Sequence, residues 1–302
     1  MILASVFLMS LGDALVKQVS TELTLWQIFV VRSIVAIPIA VLPLLFRRRP
    51  WVMGQDVLPW IVLRSGLLVS MWIAFYTALP VLNLSVVAAA LYTGPLFIAL
   101  FSALLIREPV GLRRALALVL GFLGVLVILR PGTEAFSPAM LLPVVSAVLY
   151  ALAMIITRSR CGGEEPLVLS LALNLSFLLA GAVATGAIAL WGSGPREASA
   201  DLFLLGHWVP MGEREWGLVA LMALLFVAVS AGVAKAYQSG PPAIIATFDY
   251  AYLVFAAFWG FVFFAERPDV VTVIGMILIA GAGVLVMRQK GSVRPGRGRP
   301  CR

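Results

Sequence analysis

The sequence predicts an all-α integral membrane protein with ten transmembrane helices, arranged as two inverted five-helix repeats. Three observations support this fold class. Of the 302 residues, 62% are hydrophobic and only 12% are charged, whereas a soluble domain carries about 25% charged residues. The apolar residues fall into long runs, and the second half of the chain echoes the first. Because so few charges cannot cover a soluble surface, lipid must surround much of the molecule.

Ten apolar runs approach the ~20 residues that a helix needs to cross the hydrocarbon core. Backbone groups in lipid must be hydrogen-bonded within their own segment, so each run is expected to be a helix. In chain order, the predicted spans are 2–19, 25–46, 58–79, 82–106, 113–130, 138–157, 167–191, 215–237, 241–264 and 270–288. No basic residue precedes the first run and no small-residue cleavage site follows it, so we interpret it as a span and not as a signal peptide.

The positions of Lys and Arg predict the orientation. Basic residues cluster after the even-numbered spans, and the tail 288–302 adds six more. The clusters are Arg47, Arg48 and Arg49; Arg107, Arg113 and Arg114; and Arg158 and Arg160. The longest loop, 192–214, lies on the opposite side. Because cytoplasmic loops are rich in Lys and Arg, we expect both termini to be cytoplasmic, in a bacterial inner membrane.

Spans four and nine resemble each other. Residues 85–108 (SVVAAALYTGPLFIALFSALLIRE) and 243–266 (AIIATFDYAYLVFAAFWGFVFFAE) align without gaps, and both lead through a proline into a Gly-rich span that ends in Gly-Val-Leu-Val. The repeating unit therefore has five spans, and an odd number inserts the second copy upside down. We expect one transmembrane domain over 1–302, with repeat one at 1–132, repeat two at 138–290 and a basic cytoplasmic tail at 288–302.

Charged residues inside spans are costly and usually functional. They indicate a polar cavity with a charged group near each mouth. Toward the external half lie Asp13, Lys17 and Arg32, and toward the cytoplasmic half lie Lys235 and Asp249. Two local alternatives stay open. Asp13 and Lys17, four residues apart, could form their own ion pair, and Lys235 and Arg64 could extend to lipid headgroups.

A break is expected in span four at residues 92–95 (YTGP), because Pro95 cannot donate a hydrogen bond to the carbonyl of Leu91. An interrupted helix suits a binding site, and it equally suits a packing kink. Further candidates for the cavity wall are tyrosines: Tyr76, Tyr92, Tyr150, Tyr250 and Tyr252. Glycines at 121, 124, 275, 281 and 283 are predicted to let helices pack closely.

Other function classes lack their residues in this sequence. His207 is the one histidine and the two cysteines have no metal-ligand spacing, so no metal or cofactor is expected. Neither a G-x-S-x-G elbow nor a phosphate-binding G-x-x-x-x-G-K-[ST] loop occurs, which argues against an enzyme. The basic residues lie in loops and in the tail, so a nucleic-acid partner is not expected. The expected partners are a small-molecule substrate and the lipid bilayer, with a homodimer left open.

The whole pattern resembles the drug/metabolite transporter superfamily and, within it, the EamA family. The resemblance rests on residues 12–17 (GDALVK), Trp26-Gln27 with Arg32-Ser33, residues 107–109 (REP) and their echo at 265–268 (AERP). It implies a bundle of two inverted repeats around a central cavity that works by alternating access. Relatives of this kind include amino-acid exporters, nucleotide-sugar carriers and importers of vitamins or S-adenosylmethionine.

A cavity with both signs of charge and several tyrosines suits a zwitterion with an apolar or aromatic part. We therefore expect a secondary transporter, with export of an amino acid or amine as the first interpretation. Uptake of a vitamin-like or nucleoside-like metabolite, such as S-adenosylmethionine, is the alternative. An intramembrane enzyme is a less favoured alternative.

Overall fold

The chain is helical throughout the part that the structure, a computed structural model, describes. That part comprises residues 2–46, 56–91, 93–105, 112–130, 137–191, 199–240, 242, 245, 248 and 251–287. Within these residues there is no β-strand, six helices are long and apolar enough to cross a membrane, and four shorter apolar helical stretches accompany them. The protein is an all-helical integral membrane protein.

Twelve α-helices lie within the described residues. They are α1 (Ile2–Val19), α2 (Leu25–Leu45), α3 (Leu58–Ala78), α4 (Leu84–Leu91), α5 (Gly94–Leu105), α6 (Leu112–Leu129), α7 (Leu141–Ser159), α8 (Pro166–Trp191), α9 (Ser199–Leu205), α10 (Glu213–Ser239), α11 (Ala251–Phe264) and α12 (Val270–Met287). The sixth predicted span starts three residues late as an α-helix, because Pro138–Met140 forms a 3₁₀ turn ahead of it. The tail 288–302 lies outside the described residues.

The expected break in span four is present. Helix α4 ends at Leu91 and α5 begins at Gly94. Between them, the backbone N–H and the hydroxyl of Thr93 both donate to the carbonyl of Ala90, at 3.3 and 2.9 Å. Pro95 follows at the second position of α5, where a missing N–H costs little. The interrupted helix is therefore confirmed.

Glycines let α6 and α12 cross in close contact. A Cβ added at Gly124 would lie 2.9 Å from the carbonyl oxygen of Gly275, and one added at Gly275 would lie 2.9 Å from that of Gly124. Contacts this short leave no room for a side chain, so the two backbones approach directly. The packing role predicted for these two glycines is confirmed. Gly281 differs, because nothing lies within 4 Å of its added Cβ.

Large apolar side chains cover the outside of the bundle. On α8, Leu175, Leu179 and Val183 are exposed at four-residue spacing, and on α11 Val254 and Phe258 are exposed. A soluble protein rarely presents such continuous apolar faces to water. These faces are suited to lipid, whereas polar and charged side chains collect inside.

The two ends of the bundle differ. One end carries residues 199–212 and is here named the loop end. There the indole N–H of Trp26 donates to the carbonyl of Leu204 at 2.5 Å, and the amide of Gln27 both donates to and accepts from the backbone of Val209. The opposite end carries residues 158–165 and is named the Arg-rich end. There Gln238 donates to the carbonyls of Cys161 and Glu164. These hydrogen bonds join segments that are distant in sequence.

Candidate functional site

Two small chambers lie inside the bundle, and both are bounded by Met9, Trp72, Phe226 and Val229. The Asp13 chamber, of about 20 Å³, also contacts Asp13, Arg32 and Tyr76. The Arg64 chamber, of about 50 Å³, also contacts Arg64, Leu91, Pro95, Tyr150 and Ser230. Ligand pockets usually measure ~300–1,000 Å³. Both chambers are therefore too small to hold a metabolite in this structure.

Asp13 is the centre of the first chamber. It lies on α1, 1% exposed, and accepts hydrogen bonds from the hydroxyls of Tyr252 at 2.5 Å and Tyr76 at 3.4 Å. Tyr252 comes from α11 and Tyr76 from the last turn of α3. Hydroxyl donors are what a carboxylate needs when it is removed from water. The structure thus unites three of the residues that the sequence predicts for the site.

Arg32 lies on α2 in the same chamber and is also 1% exposed. Its guanidinium interacts with the hydroxyl of Tyr76, but its Nε and Nη2 atoms have no hydrogen-bond partner in the described part of the chain. No direct ion pair joins it to Asp13 among the described residues. Tyr76 therefore bridges the two charges, and Arg32 keeps donors for another group.

Aromatic rings surround the guanidinium of Arg32. Its central carbon lies 4.1, 4.8 and 5.6 Å from the ring centroids of Phe226, Phe177 and Phe29. A cation over a ring face is attracted by the negative face of the ring, which offsets part of the cost of burial. The rings hold the charge in place without using its hydrogen-bond donors.

Trp72 and Phe226 line both chambers. Their ring centroids lie 6.0 Å apart at an interplanar angle of 66°, and Trp72 also packs against Tyr76 at 4.8 Å. An aromatic pair in this position presents flat faces and edges to both chambers. The pair belongs to α3 and α10, so these two helices both contribute to both chambers.

The structure corrects the headgroup alternative for Arg64. This residue is only 2% exposed and lines the second chamber. Its Nε donates to the hydroxyl of Thr157 at 2.7 Å, and its Nη1 is 3.4 Å from the carbonyl of Leu169. The packing of α7 and α8 against α3 turns the side chain inward, which a single helical sequence does not reveal.

The structure also corrects the alternative of a local pair between Asp13 and Lys17. The Lys17 ammonium instead donates to Glu266 at 2.6 Å and to the carbonyl of Leu82 at 2.8 Å. The other carboxylate oxygen of Glu266 accepts from the N–H of Leu84, at the start of α4. Ala265, with φ 53°, ends α11 and precedes Glu266. We name this contact between α1, α4 and α11 the Lys17–Glu266 clasp. It lies at the loop end, away from both chambers.

Some of the remaining predicted site residues line a chamber and others do not. Tyr150 lines the Arg64 chamber. Lys235 is exposed on α10 and lines neither chamber, so the structure does not bring it together with the others. Three predicted residues, Tyr92, Asp249 and Tyr250, lie outside the described residues.

Sequence reasoning missed several side chains that shape the chambers. Trp72 and Phe226 are ordinary apolar residues of long spans, and nothing in their spacing marks them. Ser230 had a weak signal, since a polar residue inside an apolar run invites attention. Its hydroxyl lies 2.5 Å from that of Ser170, and Asn174, one turn further along α8, has a buried carbonyl oxygen with no partner among the described residues. Of these three residues, Ser230 lines the Arg64 chamber.

Comparison with known proteins shows which family the chain resembles. Residues 1–130 match the EamA-like transporter family. A riboflavin transporter of Rhizobium johnstonii is 31% identical over 236 residues, which are 76% of this chain and 69% of that protein. The pseudopaline exporter CntI of Pseudomonas aeruginosa is 26% identical over 290 residues, covering 96% and 95% of the two chains.

Two further similarities extend over nearly the whole chain. The S-adenosylmethionine uptake transporter of Rickettsia prowazekii is 27% identical over 298 residues, covering 94% of this chain and 90% of that protein. One solved crystal structure matches with a TM-score of 0.62 at 19% identity, covering 94% of this chain and 97% of that one, and so shares the fold. The named relatives are transporters of small metabolites. With buried charged side chains at two chambers inside an apolar bundle and a riboflavin transporter at 31% identity, this chain belongs to the EamA-like transporter family.

Proposed function

We propose that this protein is a secondary transporter that moves a small metabolite across the bacterial cytoplasmic membrane by alternating access. The observation that carries the proposal is the buried network of Asp13, Tyr76 and Tyr252 beside Arg32, inside an aromatic chamber. Charges inside a membrane bundle are costly and mark the paths of substrates or ions. A pure packing role would favour apolar residues at these positions.

Alternating access needs an architecture with two related halves, and we propose ten spans in two inverted repeats. In this scheme the five spans of the first half are α1, α2, α3, α4–α5 and α6. They correspond, in the same order, to α7, α8, α10, α11 and α12. Support comes from the helix contacts. Two contacting pairs, α2–α8 and α6–α12, stay the same when each helix is replaced by its counterpart. Three other pairs become another observed pair: α3–α7 becomes α1–α10, α5–α7 becomes α1–α11, and α2–α10 becomes α3–α8. The pair α8–α10 has no such counterpart among the main contacts of the described residues.

For the orientation, we propose that both termini are cytoplasmic. The Arg-rich end, with Arg158 and Arg160, would then face the cytoplasm, and the loop end would face outward. The Lys17–Glu266 clasp would in that case hold the external side of α1, α4 and α11 together. Opening outward would require this contact to break, while the Arg-rich end stays closed.

For the substrate, a metabolite with a flat aromatic part fits best. Trp72, Phe226 and Tyr150 line the chambers, and such faces stack on planar rings. The relatives named as riboflavin and S-adenosylmethionine transporters handle metabolites of this kind. We therefore place uptake of a vitamin-like or nucleoside-like metabolite first.

Export of an amino acid or amine is the second candidate. Asp13 and Arg32 offer opposite charges in one chamber, which is what a zwitterion needs. The chain carries no feature that fixes the direction of transport, so uptake and export are separated by experiment. An enzymatic role is not proposed, because the named relatives are transporters.

Uptake by proteoliposomes tests the proposal. The purified chain would be reconstituted and offered riboflavin, S-adenosylmethionine and tryptophan, each with and without a proton gradient. We expect saturable uptake of at least one of them above protein-free liposomes, and loss of that uptake in Arg32→Leu. If none of the three is taken up or exchanged in either orientation of the gradient, the proposal is wrong.

A further inference from the structure

Arg64 is a buried cation, and the partners that the structure describes for it are all neutral. Its Nε donates to the hydroxyl of Thr157, and its Nη1 lies 3.4 Å from the carbonyl of Leu169. Among the described residues, no carboxylate lines its chamber, and the other polar lining groups are Tyr150, Ser230 and the indole of Trp72. The protein thus leaves a positive charge facing an otherwise neutral cavity.

The hydroxyl of Thr157 fixes the orientation of the Arg64 guanidinium. Thr157 donates its own hydroxyl proton to the carbonyl of Ala153 at 2.8 Å, so the oxygen lone pairs point to Arg64 Nε. The 3.4 Å contact of Nη1 is long for a hydrogen bond. Of the five N–H groups of the guanidinium, the described hydrogen bonds use one on Nε and one on Nη1, and a carboxylate or phosphate binds a guanidinium with two parallel hydrogen bonds.

A second arginine stands on the other side of the aromatic pair. Phe226 borders both chambers, and Arg32 lies 4.1 Å from the centroid of its ring. Arg32 also keeps Nε and Nη2 without a partner within the described ranges. An anionic group that crosses between Trp72 and Phe226 would therefore leave one arginine and meet the next. Two cations in series keep a desolvated anion stabilised along the path.

We infer that Arg64 is an anion-binding position on the transport route, which receives the carboxylate or phosphate of the substrate in the Arg64 chamber, and that Arg32 receives it in the Asp13 chamber. This rests on the proposed transport function and narrows the substrate to metabolites that combine an aromatic ring with an anionic group. Arg64 is thus a residue that determines specificity, although it lies near the start of a span where a headgroup contact is the usual expectation.

Matched probe pairs test the inference by binding to the full chain in phosphatidylcholine nanodiscs. Riboflavin 5′-phosphate and riboflavin differ by one phosphate, and tryptophan and tryptamine differ by one carboxylate. For whichever pair the wild type binds, Arg64→Gln should weaken the anionic member at least about tenfold, the loss expected for a charged bidentate contact. The member without the anion should change less than about twofold.

Two further variants make the result specific. Arg64→Lys keeps the charge but not the fork, so it should recover part of the lost affinity for the anionic member. Arg160→Gln removes a positive charge that is exposed over Trp60 at the same end of the bundle, and it should leave both members unchanged. If Arg64→Gln fails to fold, Thr157→Val keeps the guanidinium, removes the orienting bond to it together with the bond to Ala153, and should weaken the anionic member by a few fold.

The outcomes separate three cases. Equal weakening of both members, or of neither, overturns the role of Arg64 while leaving the transport function intact. Binding of none of the four probes, together with no uptake, contradicts the transport function and this inference with it. Repeating the experiment with anionic phosphatidylglycerol distinguishes the source of the anion. If the added lipid competes with the probes in the wild type but not in Arg64→Gln, the anion at Arg64 is a lipid headgroup and the inference is wrong.

Discussion

Arg32 shows how a single residue can be buried and still available. Three phenyl rings surround its guanidinium, and one hydroxyl interacts with it. Rings attract the cation without accepting its N–H groups in the plane of the guanidinium. A residue held in this way is stabilised well enough to stay inside the bundle, and it keeps donors for a substrate.

Replacing Arg32 by Leu should abolish transport, since the anion-binding donors are lost while the volume is largely kept. We expect a decrease in initial uptake rate of at least about tenfold, with a similar amount of folded protein. Fluorescence-detected gel filtration checks the folding, and proteoliposome uptake checks the rate. Arg214→Leu is the matched control, because Arg214 makes only a partly exposed 3.6 Å pair with Glu22. Normal uptake by Arg32→Leu would show that the residue is structural.

Asp249 remains a prediction from the sequence, because it lies outside the described residues. In the sequence it follows Pro241-Pro242 by about eight residues, so a short side chain at the expected depth needs a partner or a wet cavity. Asp249→Asn keeps the shape and removes the charge. If the residue takes part in substrate or proton binding, uptake should lose its dependence on the proton gradient. Unchanged uptake with the same dependence would assign it a structural role.

Among the helices, the Lys17–Glu266 clasp joins three elements with one carboxylate. Glu266 accepts from Lys17 and from the first N–H of α4, where the helix dipole favours a negative charge. Both charged side chains are 13% exposed, so water screens the pair less than it would at the surface. The contact is therefore expected to contribute more than an ordinary surface ion pair.

A double-mutant cycle on Lys17→Met and Glu266→Gln measures that contribution. Each single variant should lower the Tm, and the double variant should lower it by less than the sum, with a coupling of about 1–3 kcal/mol. The same cycle on Arg214→Gln and Glu22→Gln is the control, because this pair is 61% and 42% exposed and should couple by about 0–1 kcal/mol. Equal coupling in the two cycles would contradict a special role for the clasp.

The crossing of α6 with α12 offers a second test on helices. Gly275→Ala puts a Cβ 2.3 Å from Ile128 Cγ1 and 2.9 Å from the carbonyl oxygen of Gly124, so one backbone must shift. We expect the free energy of unfolding to fall by about 1–3 kcal/mol. Gly281→Ala lies on the same helix with nothing within 4 Å, and it should be neutral or stabilising. A thermal melt in detergent compares the two, and equal Tm values would show that the crossing is looser than described.

For the molecule as a whole, orientation is the property that the proposed mechanism depends on most. Both termini on the cytoplasmic side require an even number of spans, and the inverted repeat requires an odd number in each half. In the proposed correspondence of helix contacts, each half contributes five spans.

A reporter that is active only in the periplasm should stay inactive when it is fused after Gln289. The same reporter inserted after His207, at the loop end, should be active. These two fusions control for each other, because they sit on opposite sides in the proposed topology. Activity after Gln289 would mean an odd number of spans and would contradict the inverted repeat.

Local features of the sequence were enough to predict the membrane class, most helix boundaries, the break near Pro95 and the presence of charges at membrane depth. Hydropathy, proline and the cost of a buried charge each act on a single segment, so they can be read without knowing its neighbours. Thus α1 covers the predicted residues 2–19, Asp13, Arg32 and Tyr76 line one chamber, and Tyr252 donates a hydrogen bond to Asp13. The buried charges were the signal that found them.

The partners of these side chains, in contrast, follow only from how the helices pack. Lys17 pairs with a carboxylate 249 residues away, Arg64 turns inward instead of toward headgroups, and Trp72 meets Phe226 at both chambers. An apolar span has no polar face to show which side is turned toward the bundle, so helical spacing cannot choose between lipid and cavity. That choice is made by packing against helices from the other half of the chain, and the same packing sets which charges remain for a substrate.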